Sequence, residues 1–179
     1  MALRLQPQTL RHLLMSGTRD LHDALDSAMG EMRGSEDYRH YLRGTYAFRA
    51  ALEPALDDAG WQVERLLDNL RADLADLGEP VPTAAPAPAL HDFAAKAAAL
   101  YVLEGSALGA RLIARRAAAL GFDERHGARH LAQQTAAPTR WPAFLDWLEQ
   151  SAAPPEPATA AARQVFQTAL LAYGVEAGV

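Results

Sequence analysis

The chain has 179 residues, half of them apolar and 22% charged, which suits a folded globular domain and excludes a disordered one. It has no cysteine, so disulfides, iron–sulfur clusters, zinc–thiolate sites and thiolate-ligated haem are excluded, and any metal must be held by His, carboxylate, Tyr or Met. Its net charge of -5 gives no general affinity for nucleic acid. The N-terminal residues lack the apolar run of a signal peptide, and the most apolar stretch, Ala94 to Val102, soon meets Glu104 and Arg111. The expectation is a cytoplasmic protein with no membrane span.

Alternating β-branched runs are missing while Ala, Leu and Arg dominate, which predicts an all-α fold. A first helix is expected from Pro7 to Gly30, with Leu10, Leu14, Leu21 and Leu25 near helical period. A second should open at Ser35 as N-cap, followed by Glu36 and Asp37, and be kinked or ended by Pro54. A third is expected from Trp61 to Leu77, stopped by Gly78. Pro80, Pro82, Pro86 and Pro88 then alternate with small residues as an extended surface connection rather than a domain boundary, because neither side alone makes a complete core. A long fourth helix should run from His91 to Leu120 and stop at Gly121. Shorter helices are expected over Glu124 to Gln134, Trp141 to Gln150 and Thr159 to Tyr173. The whole chain, 1–179, reads as a single domain.

Two segments carry the functional signal. On the first helix, His22 shares a face with Met15, Thr18, Leu25 and Met29, so its imidazole can meet an apolar cleft, and Asp26 one turn on can orient it. The same spacing also describes an ordinary helix histidine paired with an aspartate. On the fourth helix, Gly105 and Gly109 lie one turn apart in the helix interior, where each costs about 1 kcal/mol relative to Ala. Bare backbone there suits either a flat partner such as a porphyrin or tight packing against another helix.

Together, Thr18-Arg19-Asp20-Leu21-His22 and Tyr101-Val102-Leu103-Glu104-Gly105-Ser106-Ala107-Leu108-Gly109-Ala110 resemble the proximal and distal helix motifs of the haem oxygenase family, particularly bacterial members found beside bacteriophytochromes. Weaker similarity runs through Tyr38 to Gly44 and Ala50 to Glu53. The resemblance implies haem b bound between the first and fourth helices as both cofactor and substrate, with His22 as the iron ligand. It implies Thr18, Asp26 and Arg111 beside the haem, and Gly105, Ser106 and Gly109 over its distal face. The implied reaction is cleavage of haem to biliverdin, iron and carbon monoxide, using O2 and electrons from an external ferredoxin or flavoprotein reductase. The resemblance implies either biliverdin supply to a bacteriophytochrome as acceptor or iron release from haem as the purpose. Three positions depart from the family pattern: Ser106 stands where an aspartate often orders water, Ala110 where a second glycine often follows, and Met15 where some members place a base for a propionate. Arg11, Arg19 and Arg111 are the alternative propionate partners. The rival readings are a haem carrier without turnover and a related helical fold for another small molecule.

His126 and His130, at i and i+4, read poorly as a metal pair because Arg125 and Arg129 flank them. Arg111, Arg115 and Arg116 form a basic cluster that either faces solvent or docks an acidic electron donor. Trp141, Phe144, Trp147 and Leu148, with Tyr38, Tyr41, Tyr46 and Phe48, read mainly as core.

Overall fold

The computed structural model describes residues 8–30 and 32–175. Among these residues it is all-α, with isolated bridges around Asp123 and no strand. The helices are α1 (Leu10–Gly17), α2 (Arg19–Met29), α3 (Ser35–Leu52), α4 (Leu67–Asp76), α5 (Phe93–Ala119), α6 (Arg129–Thr135), α7 (Arg140–Gln150) and α8 (Pro155–Ala172), with a 3₁₀ turn at Glu53–Ala55 after α3.

The first departure from the sequence reading is that the expected helix through to Gly30 is two helices. Thr18 Oγ1 donates to the Leu14 carbonyl at 2.8 Å, and Thr18 ends α1 and caps α2 with non-helical dihedrals. The break occurs where α8 presses in: a Cβ on Gly17 would lie 2.3 Å from Thr159 Cγ2. The second departure is at Trp61 to Leu66, which is not helical. The segment lies along a buried Arg49–Glu53 pair, whose Nη1–Oε1 distance is 2.9 Å. Arg49 donates to the Glu64 carbonyl, and the Leu66 amide donates to Glu53 Oε1. Backbone groups that a helix would use are satisfied there by side chains of α3 and the 3₁₀ turn.

Residues 124–127 likewise turn rather than coil, because Asp123 accepts from the Arg125 and His126 amides and Gly127 donates to Asp76. The last helix starts earlier than Thr159, at Pro155, since prolines are accommodated in a first helical turn. Gly34, not Ser35, is the N-cap of α3, and Asp37 accepts from the Gly34 amide at 3.1 Å. Asp92 caps α5 through the Ala95 amide at 2.8 Å, and Gly121 follows that helix with φ 90°.

Two apolar clusters share α3 and α5. One gathers Leu14, Leu52, Leu100, Phe144, Leu148 and Val165 between α1, α5, α7 and α8. The other gathers Tyr38, Leu42, Leu66, Leu70, Leu74 and Leu131 between α3, α4 and α6. Leucines buried this completely contribute about 2 kcal/mol each.

The expectation that no segment could span a membrane needs correction. Among the described residues, α5 is long and apolar enough to cross a membrane by length and composition alone. It is the central helix of the fold, with Ala97, Ala98, Ala99 and Leu100 fully buried and α8 packed along it.

Candidate functional site

The first half of α5 is buried, but around its two interior glycines the helix surfaces. Leu108 is 62% and Leu112 46% exposed, in contrast to the fully buried Ala97 to Leu100. Gly105, Gly109, Leu112 and Arg116 follow one another at helical spacing and form a single stripe. The direction of that stripe is fixed by Arg116, whose Nη1 donates to the Gly30 carbonyl at the end of α2 at 3.2 Å. A Cβ on Gly109 would meet nothing within 4 Å, and one on Gly105 would first meet Trp141 Cη2 at 3.5 Å. Gly109 therefore seats no other helix, while Gly105 lies against Trp141 of α7.

The Arg116–Gly30 bond ties the stripe to the end of α2, a helix with no buried residue; Leu21 and Leu25 only partly bury against the core. His22 and Asp26 lie one turn apart on the exposed surface of α2. His22 Nδ1 is 3.3 Å from Asp26 Oδ2, and the side chains are 59% and 70% exposed. The imidazole meets the Phe166 ring of α8 edge-on at 6.0 Å between centroids. With Nδ1 engaged by Asp26, Nε2 is the nitrogen left to ligate.

The other residues singled out from the sequence fall less simply. Thr18 is buried, its hydroxyl spent on the Leu14 carbonyl. Ser106 lies off the glycine stripe and turns towards α6: Oγ donates to the Leu103 carbonyl at 2.6 Å and accepts from Gln134 Nε2 at 2.8 Å. Arg111 is exposed and lines a groove of about 180 Å³ with Leu108, Gln134, Arg140 and Trp141. Arg11 lies near Tyr101, whose phenol burial pushes up while the Arg11 charge opposes the shift.

Sequence reasoning missed three polar constructions. Buried Glu104, directly before Gly105, accepts from Trp61 Nε1 at 2.9 Å and from Arg140 Nε and Nη2 at 2.8 and 2.6 Å. It ties α5 to the start of α7, and Arg140 also lies over the Trp61 ring at 5.3 Å. The signal was a lone carboxylate in an otherwise apolar run. His130 is fully buried: Nδ1 lies 2.7 Å from Asp73 Oδ2 and Nε2 lies 3.3 Å from the Tyr41 hydroxyl. It is thus a structural residue diverging from His126, which faces Asp76. Arg163 of α8, discussed below, had no local sequence signal. No group of three metal-ligating side chains occurs among the described residues.

The donor set suits haem: one imidazole with a free Nε2 on α2, and an open, largely apolar, glycine-bearing face on α5. No family model matches the sequence. Individual proteins do. The chain is 36% identical to a haem oxygenase of Xanthomonas campestris pv. campestris over 142 residues, covering 74% of this chain and 86% of that protein. It is 32% identical to haem oxygenase PigA of Pseudomonas aeruginosa over 165 residues, covering 81% and 82%. The solved structure of haem oxygenase from Neisseria meningitidis, with NO and CO bound, superposes with a TM-score of 0.78 at 26% identity, covering 96% of this chain and 95% of that one. With identity and fold agreeing across most of its length, the chain belongs to the haem oxygenase family.

Proposed function

We propose that this chain, acting as a single domain, cleaves haem to biliverdin, iron and carbon monoxide, with haem held between α2 and α5. The observation that supports this reading is that Arg116, on the same stripe of α5 as the open Gly109, bonds the end of the helix that carries His22. Haem, when bound, supplies the redox-active iron and the porphyrin ring that O2 and electrons open.

The chain's own part is placement. His22 Nε2 would hold the iron, and Asp26 would keep the Nδ1 proton and the ring's orientation. Gly105 and Gly109 would bring bare backbone over the opposite face, with open space beside Gly109. Ser106 Oγ has one lone pair left after its bonds to Leu103 and Gln134, enough to hold a water on the α6 side of α5. Thr18 acts from beneath, by ending α1 so that α2 starts in its own direction. Exposed Arg111 is the cation assigned to a propionate. Exposed Arg111 and Arg115 also offer a basic edge to an acidic ferredoxin or flavoprotein reductase in the cytoplasm. Biliverdin would pass to a bacteriophytochrome.

The test is to mix the protein with hemin, record the spectrum, then add ferredoxin, its reductase and NADPH in air. A Soret band of a histidine-ligated haem that decays to the biliverdin spectrum is the expected result. A stable band would indicate a haem carrier, and no band would mean that the ligand had been lost.

A further inference from the structure

We infer that Arg163 of α8 is a positioning residue for His22, setting where α2 presents its imidazole; this rests on the reading of His22 as the iron ligand. The argument starts from how little holds α2. It buries no residue completely, and its N-cap Thr18 makes no side-chain bond to the helix that follows. A helix end without a cap or a buried face is free to shift unless something else fixes it.

Arg163 supplies that fixture. Its Nη1 donates to the Gly17 carbonyl at 2.8 Å and to Asp20 Oδ1 at 2.7 Å, and its Nη2 donates to Asp20 Oδ2 at 2.8 Å. One guanidinium therefore joins the last carbonyl of α1 to the first-turn carboxylate of α2, with the planar fork that matches a carboxylate in both distance and direction. Asp20 precedes His22 by two residues. The neighbours of Arg163 on the same face of α8 complete the seat: Thr159, one turn before, lies against Gly17, and Phe166, one turn after, lies edge-on to the His22 ring.

Three successive contacts of α8 thus fix the α1–α2 joint, the first turn of α2 and the imidazole itself. At the far end α2 has the Arg116 bond to Gly30. Because the Arg163–Asp20 pair is largely exposed, its loss should weigh little on global stability and much on local position.

The experiment compares wild type with Arg163→Met, Arg163→Lys and His22→Ala. Amide hydrogen exchange is followed in the haem-free protein, and the iron–histidine stretch and electron paramagnetic resonance of the haem complex are recorded. Arg163→Met should speed exchange across residues 19–29 at least 10-fold, leave α5 and α8 unchanged, and shift the haem signatures; Arg163→Lys should restore part of both. Unchanged exchange in α2 would overturn the proposal. So would faster exchange with wild-type haem signatures, provided His22→Ala alters them. If His22→Ala leaves the haem signatures unchanged, the ligand assignment itself fails, and the positioning role falls with it.

Discussion

His22 Nδ1 lies 3.3 Å from Asp26 Oδ2 on an exposed part of α2, with the imidazole edge-on to Phe166 of α8. The geometry leaves Nε2 as the free nitrogen and makes Asp26 the group that fixes the tautomer. His22→Ala should abolish turnover and change the haem absorption spectrum while circular dichroism stays helical, because the exposed side chain contributes little to the core. Added imidazole should restore part of the spectrum. Wild-type turnover and spectrum in His22→Ala would remove it as the proximal residue.

The glycines of this chain separate into two kinds, and substitutions tell them apart. Gly109→Leu places its side chain where nothing lies within 4 Å, so the haem-free protein should melt close to wild type. Haem binding should weaken, or the biliverdin isomer should change, as chromatography of the product would reveal. Gly17→Val would drive its Cβ into Thr159 and should lower stability by about 2 kcal/mol, measured by urea unfolding. A wild-type product profile for Gly109→Leu would mean that the stripe does not face the substrate.

The buried Asp73–His130 pair governs acid stability. Burial lowers the His130 pKa despite its bond to Asp73. The unfolded chain therefore takes up a proton near about pH 6.5 that the folded chain refuses. Stability is full above that value and falls as pH drops towards the folded pKa. Burial raises the Asp73 carboxyl, but the His130 imidazole and the amides of Arg129 and His130 outweigh it, and the net shift is downward. Its contribution is present above about pH 3.9 and is lost as pH falls through the lower folded value. Thermal melts should thus decline from pH 7 to pH 5, and the decline should flatten in His130→Asn. Asp73→Ala, which strands buried donors, should cost about 3 kcal/mol at pH 7.

Glu104 holds the start of α7 and the Trp61 indole against α5. Glu104→Ala leaves the Trp61 N–H without its acceptor and frees Arg140, at a cost of about 2 kcal/mol in chemical unfolding. Tryptophan fluorescence should shift as Trp61 loosens. An unaltered emission spectrum together with an unaltered unfolding midpoint would show that the clamp is not holding the segment.

The all-helical fold, the long α5 and the two segments that carry His22 and the glycine pair were legible in the sequence, because helical periodicity and mid-helix glycines are local signals. Where the sequence reading stopped short, the cause was contact between residues far apart in the chain. The break at Thr18 comes from α8 pressing on Gly17, and the extended run from Trp61 to Leu66 from a buried ion pair that claims its backbone. The sequence determined that a histidine helix and a glycine helix exist. Only the tertiary structure decided that Arg116 of the glycine helix bonds Gly30 at the end of the histidine helix, that Ser106 is turned to Gln134, and that Arg163 bonds Asp20 on the histidine helix. Spacing along a helix fixes which residues share a face, but what that face meets depends on packing that no local pattern encodes.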